Sequence, residues 1–267
     1  MNANPQTAAT EPLLLRQDDA GVVTLTLNRP TQFNSLSQAL MSELQTELER
    51  IAADERARVV IVAGAGKAFC AGHDLKEMRA DPSKEFQKQL FRQCSQLMLA
   101  LVRLPQPVIA RVHGIATAAG CQLVSMCDLA VASDNARFAV SGVNLGLFCS
   151  TPAVGLSRNV GRKQALEMLL TGDFIDAQAA LARGLVNRVV PPEQLDAEIK
   201  KLTDSILAKT PVAIKLGKQA FYRQLEAGLE QAYELASEVM ACNMITEDAQ
   251  EGIDAFVAKR KPQWKGR

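Results

Sequence analysis

The sequence predicts an α/β fold: a parallel sheet built from strand–crossover–strand units, followed by a helical C-terminal region. Three observations predict it. Short β-branched runs recur through the first half, amphipathic helical stripes separate them, and beyond about residue 151 the strand signal fades while helical periodicity continues.

VVTLTL (22–27) alternates and is β-branched, so it reads as a strand, which Asn28-Arg29-Pro30 breaks. A helix follows from Ser37, with Leu40, Leu44, Leu48 and Ile51 on one face. RVVIVAGAG (58–66) is a short apolar run ending in glycines, a buried strand opening into a loop. Residues 84–103 place Phe86, Leu90, Cys94, Leu97 and Leu101 on one helical stripe, which Pro105 and Pro107 stop. PVIARV (107–112) and CDLAVAS (127–133) are further strands. Between them GIATAAGCQLVSM has small residues first and apolar ones later, as a loop feeding a helix would. Beyond residue 151 one short strand candidate remains, VNRVV (186–190). Asp176 as N-cap and Gly184 as C-terminal stop bracket a short helix. Amphipathic helices over roughly 193–208, 212–223, 227–246 and 248–260 complete the chain.

The 267 residues, 48% hydrophobic and 22% charged, suit one large domain or a core domain with a helical appendage. Lys and Arg number 30 against 29 Asp and Glu, so no basic field invites a nucleic acid or a membrane surface. Six cysteines lie scattered in apolar surroundings without CxxC or zinc spacing, and read as small reduced core residues. Only His73 and His113 are present, which leaves few ligands for a transition metal; no metal is expected. The opening MNANPQTAATEP has neither a basic stretch nor an apolar one, and no run of about 18 apolar residues follows. A reducing cytoplasm is the expected compartment.

Two places put small residues where a strand gives way to a helix: AFCAGHDL (68–75) after the strand at 58–63, and ATAAGCQL (116–123) after the strand at 107–112. Small side chains let another molecule approach the backbone, and the free N–H groups of a helix N-terminus favour a negative oxygen. Either turn alone is explained by chain reversal. Side by side, the two would hold one carbonyl oxygen between two N–H donors, an oxyanion hole.

KAFCAGHDLKEM, HGIATAAGCQLVSMCDLAVAS, ARFAVSGVNLGLF, ALEMLLTGDFIDAQAALARGLVNRVVP and EGIDAFVAKRKPQW follow in that order. They resemble the successive signature segments of the enoyl-CoA hydratase/isomerase (crotonase) superfamily, over nearly the whole chain from about residue 12. GHDLKEM, GIATAAGCQLV and GVNLGLFCSTP are most similar to the enoyl-CoA hydratase domain-containing protein 3 group. Residues 1–12, rich in Pro, Ala and Thr, read as disordered; from there the resemblance implies a ClpP-like spiral of ββα turns over 13–200 and a helical oligomerisation region over 201–267. It implies a homotrimer or dimer of trimers, a coenzyme A thioester as substrate, and no permanently bound cofactor. The two oxyanion N–H groups would be those of His73, after Gly72, and Ala119, before Gly120. Thioester and pantetheine contacts fall on His73, Asp74, Leu75 and Lys76. Lys259, in the AKRK run, matches a lysine that meets the coenzyme A phosphates from a neighbouring subunit; a solvated helix end explains it equally well.

The family's pattern breaks at its acid and base. Hydrating an enoyl thioester needs one group to deprotonate water and one to protonate the α-carbon, each typically worth ~10²–10⁴ in rate. The two family glutamates align with Gln122 and Gly142. Multiplied independently, their loss would slow hydration by roughly 10⁴–10⁸. Gln122 and Ser141 could hold a water or an anion in the vacated space, Ser150 aligns with a glycine whose N–H touches the attacking water, and the His73 imidazole or the Cys149 thiol could move a proton. Each has a plainer reading: Cys149 as a buried thiol, Ser150 and Thr151 as a helix N-cap, His73 as a backbone donor with its ring hydrogen-bonded or solvated. Asp74 would fix its turn, His113 end a strand, and Asp128 serve structure. Three functions follow: another oxyanion-forming reaction (isomerisation, decarboxylation or thioester hydrolysis), a non-catalytic acyl-CoA-binding oligomer, or a weak enoyl-CoA hydratase.

Overall fold

A computed structural model describes residues 11–267; the stretch expected to be disordered therefore lies, up to residue 10, outside the described residues. The chain opens with an antiparallel hairpin, β1 (Leu14–Asp19) and β2 (Val22–Leu27), and then α1 (Gln38–Ala52). The side chain of Ser37 caps α1 by accepting from the Leu40 N–H, and Leu40, Met41, Leu44, Leu48 and Ile51 form its buried stripe.

Three ββα turns follow. The first is β3 (Val59–Gly64), β4 (Ala68–Cys70) and the helices α2 (Leu75–Ala80) and α3 (Lys84–Arg103). The second is β5 (Val108–Val112), β6 (Ile115–Thr117) and α4 (Ala119–Met126). The third is β7 (Leu129–Ser133), β8 (Arg137–Ala139) and α5 (Ser150–Asn159). The first strand of each turn enters one sheet and the second strand the other. The larger sheet runs β1-β2-β3-β5-β7-β10, where β10 is Arg188–Val190, and the smaller β4-β6-β8-β9, where β9 is Ile175–Asp176. From β2 to β10 the larger sheet is parallel, as are the β4–β6 and β6–β8 pairs. This is the expected spiral. Its core lies between the sheets and helices and includes β3, α4 and Phe69 and Phe138 of the short strands.

After α6 (Arg162–Thr171) and α7 (Ala177–Ala182) comes α8 (Leu195–Leu207), which lays Leu195 and Ile199 against Val59, Ile61, Ile109 and Val131 on the outer face of the larger sheet. The last three helices, α9 (Pro211–Leu225), α10 (Leu229–Met244) and α11 (Glu247–Val257), bury little of themselves. One buried cluster anchors α9: Lys218 Nζ donates to Asp128 Oδ2 (2.6 Å), the Tyr222 hydroxyl to Asp128 Oδ1 (2.8 Å), and the Val108 N–H also to Asp128 Oδ2 (2.6 Å). Asp128 thus serves structure, joining the helical region to the sheet.

Four short strands (β4, β6, β8 and β9) and the hairpin strand β1 are absent from the sequence reading. Strands of two or three residues cannot display alternation, and β1 exposes five of its six residues, LRQDD, so no apolar face marks it. The cysteine reading also needs a correction: five are buried, but Cys242 lies exposed on α10.

Candidate functional site

The turns singled out from the sequence do not follow the main strands β3 and β5 directly. Each follows the short strand that comes next, and β4 and β6 pair in parallel, with Cys70 opposite Ala116. That pairing brings the turns together. A Cβ on Gly72 would sit 2.9 Å from Ala118 Cβ and 3.2 Å from Ala119 N, and Gly72 takes a φ of +92°. A side chain there is excluded by both space and backbone conformation.

His73 forms an isolated parallel bridge with Leu36: the Leu36 N–H donates to Gly72 O (2.7 Å) and the Asp74 N–H to Leu36 O (3.1 Å). In a parallel bridge the flanking groups make the bonds, so His73's own N–H points away from Leu36. It donates to no acceptor among the described residues, and neither does the Ala119 N–H, the first of α4. Ala118 aims that N–H. Its φ of +50° and ψ of −121° match the first central residue of a type II′ turn, a conformation usually left to glycine and worth about 1–3 kcal/mol of strain.

The acidic groups of the first turn are engaged. Asp74 Oδ2 accepts from Arg29 Nη2 (2.8 Å) and Oδ1 from the Lys76 N–H (3.0 Å), capping α2. Burial would raise the Asp74 pKa, but these donors hold it below its ordinary value. Glu77 accepts the Gln38 N–H (2.9 Å). Arg29, which the sequence marked only as a strand breaker, also donates to Ser35 O (2.6 Å) and so ties the end of β2 to the turn. Leu75 and Lys76 are exposed beside it.

Contrary to the sequence expectation, the His73 ring is shut off from solvent and stands edge-on to Phe91 of α3 (5.4 Å between ring centroids), with both its nitrogens buried and without a hydrogen-bond partner among the described residues. Burial, partly countered by the nearby Leu36 backbone, pushes its pKa down to about 4, so the imidazole is neutral at physiological pH. The unfolded chain, with an ordinary value of 6.5, takes up the proton first; stability is therefore present above 6.5 and lost as pH falls toward 4. Moving from pH 7 to pH 5 is expected to cost about 2 kcal/mol from this group. Denaturant unfolding of wild type and His73→Gln at both values checks it: the variant should lose less stability on acidification, and equal losses would assign the effect elsewhere.

Helix α4 buries every residue from Ala119 to Ser125, as a helix at the centre of a core does. Gln122 is 4% exposed, and its Oε1 receives no donor among the described residues. Beside Ala118 and Gly142, Thr117 and Ser141 share a hydroxyl–hydroxyl bond (2.9 Å). At Gly142 the expected vacated space does not exist. A Cβ there would fall 2.4 Å from Leu147 O and 2.7 Å from Cys149 Sγ, because the loop from Gly142 to Cys149 closes on itself. The Leu147 N–H donates to Gly142 O (2.9 Å) and the Gly142 N–H to Cys149 Sγ (3.3 Å). Burial raises the Cys149 pKa, which disfavours a reactive thiolate.

Ser150 does not offer a free N–H for a water: that group donates to Phe148 O (2.8 Å), and Ser150 Oγ turns to the same carbonyl (3.4 Å). Nor do Ser150 and Thr151 cap a helix; Cys149 is the N-cap of α5, without a side-chain cap bond. His113 donates to or accepts from no group of the site; its Nε2 lies 2.9 Å from Gly66 O. Lys259 lies past the end of α11, exposed, with a φ of +53° and its N–H on Phe256 O (3.2 Å). No hydrogen bond or ion pair joins it to the paired turns among the described residues. The spiral thus gathers 72–76, 117–122, 141–142 and 149–150, and leaves Lys259 apart.

The family model for enoyl-CoA hydratase/isomerase matches residues 17–267. The chain belongs to the enoyl-CoA hydratase/isomerase family. Among curated family members, the Xenopus laevis "Enoyl-CoA hydratase domain-containing protein 3, mitochondrial" is 48% identical over 95% of this chain and 86% of its own length. Among solved structures, the Mycobacterium smegmatis enoyl-CoA hydratase is 60% identical, with a TM-score of 0.94 over 95% of this chain and 99% of that one. The human enoyl Coenzyme A hydratase domain-containing protein 3 is 44% identical, with a TM-score of 0.92 over 95% and 100%. These likenesses establish the crotonase fold and the resemblance to the domain-containing protein 3 group. They overturn the cytoplasmic reading, because curated relatives of that group are named mitochondrial. The composition that suggested a cytoplasm is shared by any reducing compartment, so it held no information on this point.

Proposed function

We propose that this protein binds a fatty acyl-CoA thioester with its carbonyl oxygen between the N–H groups of His73 and Ala119, and polarises it without hydrating its enoyl form at ordinary enzyme rates. One observation carries the reading: two backbone N–H groups without an acceptor among the described residues, held side by side, with no carboxylate at 122 or 142. Two converging donors stabilise negative charge developing on an oxygen, the requirement of an enolate or a tetrahedral intermediate. Gln122 can hydrogen-bond but does not titrate near neutrality, and Gly142 has only backbone.

A second reading is a base-free enolate-forming reaction such as decarboxylation. It is favoured by the neutral His73 ring and by Asp74 and Glu77, the acids of the first turn, both being engaged. Gly72 and Gly120, by letting Ala118 and Cys70 pack against them, would hold the two turns close enough to share the thioester, and Asp74, Leu75 and Lys76 would line the pantetheine arm. The exposed Leu229, Tyr233, Met240 and Phe256 of the last helices support assembly as a homotrimer or dimer of trimers, in which Lys259 would reach a neighbour's coenzyme A phosphates.

The test is incubation with crotonyl-CoA, following loss of the conjugated enoyl absorbance. Hydration is expected to lie orders of magnitude below a typical turnover of about 10 s⁻¹, whereas butyryl-CoA should bind saturably. A crystal structure with that thioester should place its oxygen ~2.7–3.1 Å from both nitrogens. Turnover at ordinary rates would overturn the claim about 122 and 142, and an oxygen outside hydrogen-bond range would overturn the site.

A further inference from the structure

The peptide that carries the His73 N–H is held from behind, and its support ends on a charge. A trans peptide points its N–H and its C=O in opposite directions, so whatever fixes Gly72 O also aims the His73 N–H. Gly72 O accepts the Leu36 N–H (2.7 Å). On the other side of the Leu36 peptide, Ser35 O accepts from Arg29 Nη1 (2.6 Å). No peptide bond among the described residues is cis, so both linkages transmit direction in this way. The result is a single file of hydrogen bonds. It runs from the Arg29 guanidinium through the Ser35–Leu36 peptide to the Gly72–His73 peptide, and ends at the N–H that has no acceptor among the described residues.

The surroundings hold this file still. Asn34 is fully buried; its Oδ1 accepts the Arg29 N–H (2.9 Å), and its Nδ2 donates to Ala65 O and Ala68 O (both 2.8 Å). The Asp74 N–H donates to Leu36 O (3.1 Å), which keeps 72–74 in register with Leu36. Arg29 Nη2 is anchored on Asp74 Oδ2 (2.8 Å), and the two side chains are 15% and 11% exposed, so little water screens the charge. Helix α2, which follows the turn, buries none of its residues and supplies no competing anchor. Behind the Ala119 N–H, by contrast, Ala118 O accepts from the neutral Gln122 N–H (3.0 Å). A cation at one end of a chain of hydrogen bonds polarises each peptide in turn and strengthens the last donor. The gain is largest when negative charge develops on the accepting oxygen.

We propose, resting on the acyl-CoA reading above, that Arg29 is a positioning residue: it aims and strengthens the His73 donor through the Ser35–Leu36 and Gly72–His73 peptides, and so polarises a thioester carbonyl that it does not touch.

Two readouts on the full-length protein report on that carbonyl. One is the infrared carbonyl stretch of bound butyryl-CoA labelled with carbon-13 at its carbonyl, which falls in frequency as the oxygen is polarised. The other is the affinity ratio of butyryl-CoA to S-butyl-CoA, the thioether in which a methylene replaces the carbonyl. Wild type should lower the stretch and prefer the thioester about tenfold or more. Arg29→Met should cut that preference about three- to tenfold and return the stretch toward its free value. Arg29→Lys keeps a charged donor and should retain most of both effects, whereas Arg29→Gln, a neutral donor, should fall between Lys and Met. The Lys-against-Gln comparison keeps the test open if Arg29→Met folds poorly. Removing Arg29 also uncovers the Asp74 charge beside the turn. The Arg29→Met/Asp74→Asn variant separates that effect and should stay as weak as Arg29→Met. Wild-type values in folded Arg29→Met, equal values in Arg29→Lys and Arg29→Gln, or recovery in the double variant would overturn the proposal alone. A wild type with neither a carbonyl preference nor a lowered stretch would overturn the reading of the site, and this proposal with it.

Discussion

Substituting Gly120 by alanine is expected to cost about 3 kcal/mol of folding stability or more, the upper end for an overpacked site, and to abolish acyl-CoA binding. A Cβ at this position would fall 2.0 Å from the carbonyl oxygen of Cys70 and 2.7 Å from its carbon. Neither partner can yield. Cys70 ends β4 and is registered against Ala116, and Gly120 is the second residue of α4, which is buried from Ala119 to Ser125. Relief requires parting β4 from α4, and that moves the Ala119 N–H away from His73. Gly217→Ala is the control, since a Cβ on this glycine within α9 meets nothing within 4 Å. It should raise stability by roughly 0.5–1 kcal/mol through helix propensity alone. Urea unfolding and a butyryl-CoA titration of the two variants decide the matter. A Gly120→Ala protein within about 0.5 kcal/mol of wild type, the ordinary surface range, would mean the turns do not pack as closely as described.

The same contact explains what the sequence could and could not convey. The long elements were legible because their apolar periodicity is dictated by burial: α1 runs from the N-cap Ser37 with the predicted stripe, and α3 spans Lys84–Arg103 as read. The small sheet was not legible, because strands of three residues leave no period. Yet that sheet, through the pairing of β4 with β6, makes two separate turns into one site. The glycines at 72 and 120 marked close approach correctly, but the approaching partner is protein: Ala118 for one and Cys70 for the other. The strained Ala118, which aims the second N–H, has no signature at all, since alanine is not the residue expected at such a φ. Arg29 likewise looked like part of a strand break, and only the folded chain carries it to Asp74.

Position 142 is where the folded chain changes the chemical argument most. From sequence, Gly142 looks like an empty seat that a glutamate could retake. Instead, the Leu147 carbonyl and the Cys149 thiol already occupy it, and the Gly142 N–H and C=O are both bonded to that loop. Gln122→Glu alone is therefore expected to raise crotonyl-CoA hydration above the wild-type base, by at most about 10²–10⁴, the worth of one acid or base. Adding Gly142→Glu should return no further rate, because its Cβ displaces the loop before its carboxylate can reach a substrate. Cys149→Ala should not rescue the double variant either, since the 2.4 Å contact with a backbone carbonyl remains. Enoyl absorbance assays on the single, double and triple variants, normalised to folded protein, separate these cases. A double variant about 10²-fold faster than Gln122→Glu would mean that the loop yields and that the second carboxylate was lost as a side chain alone. Failure of both additions would place that loss in the backbone path from Gly142 to Cys149, which no single reversion restores.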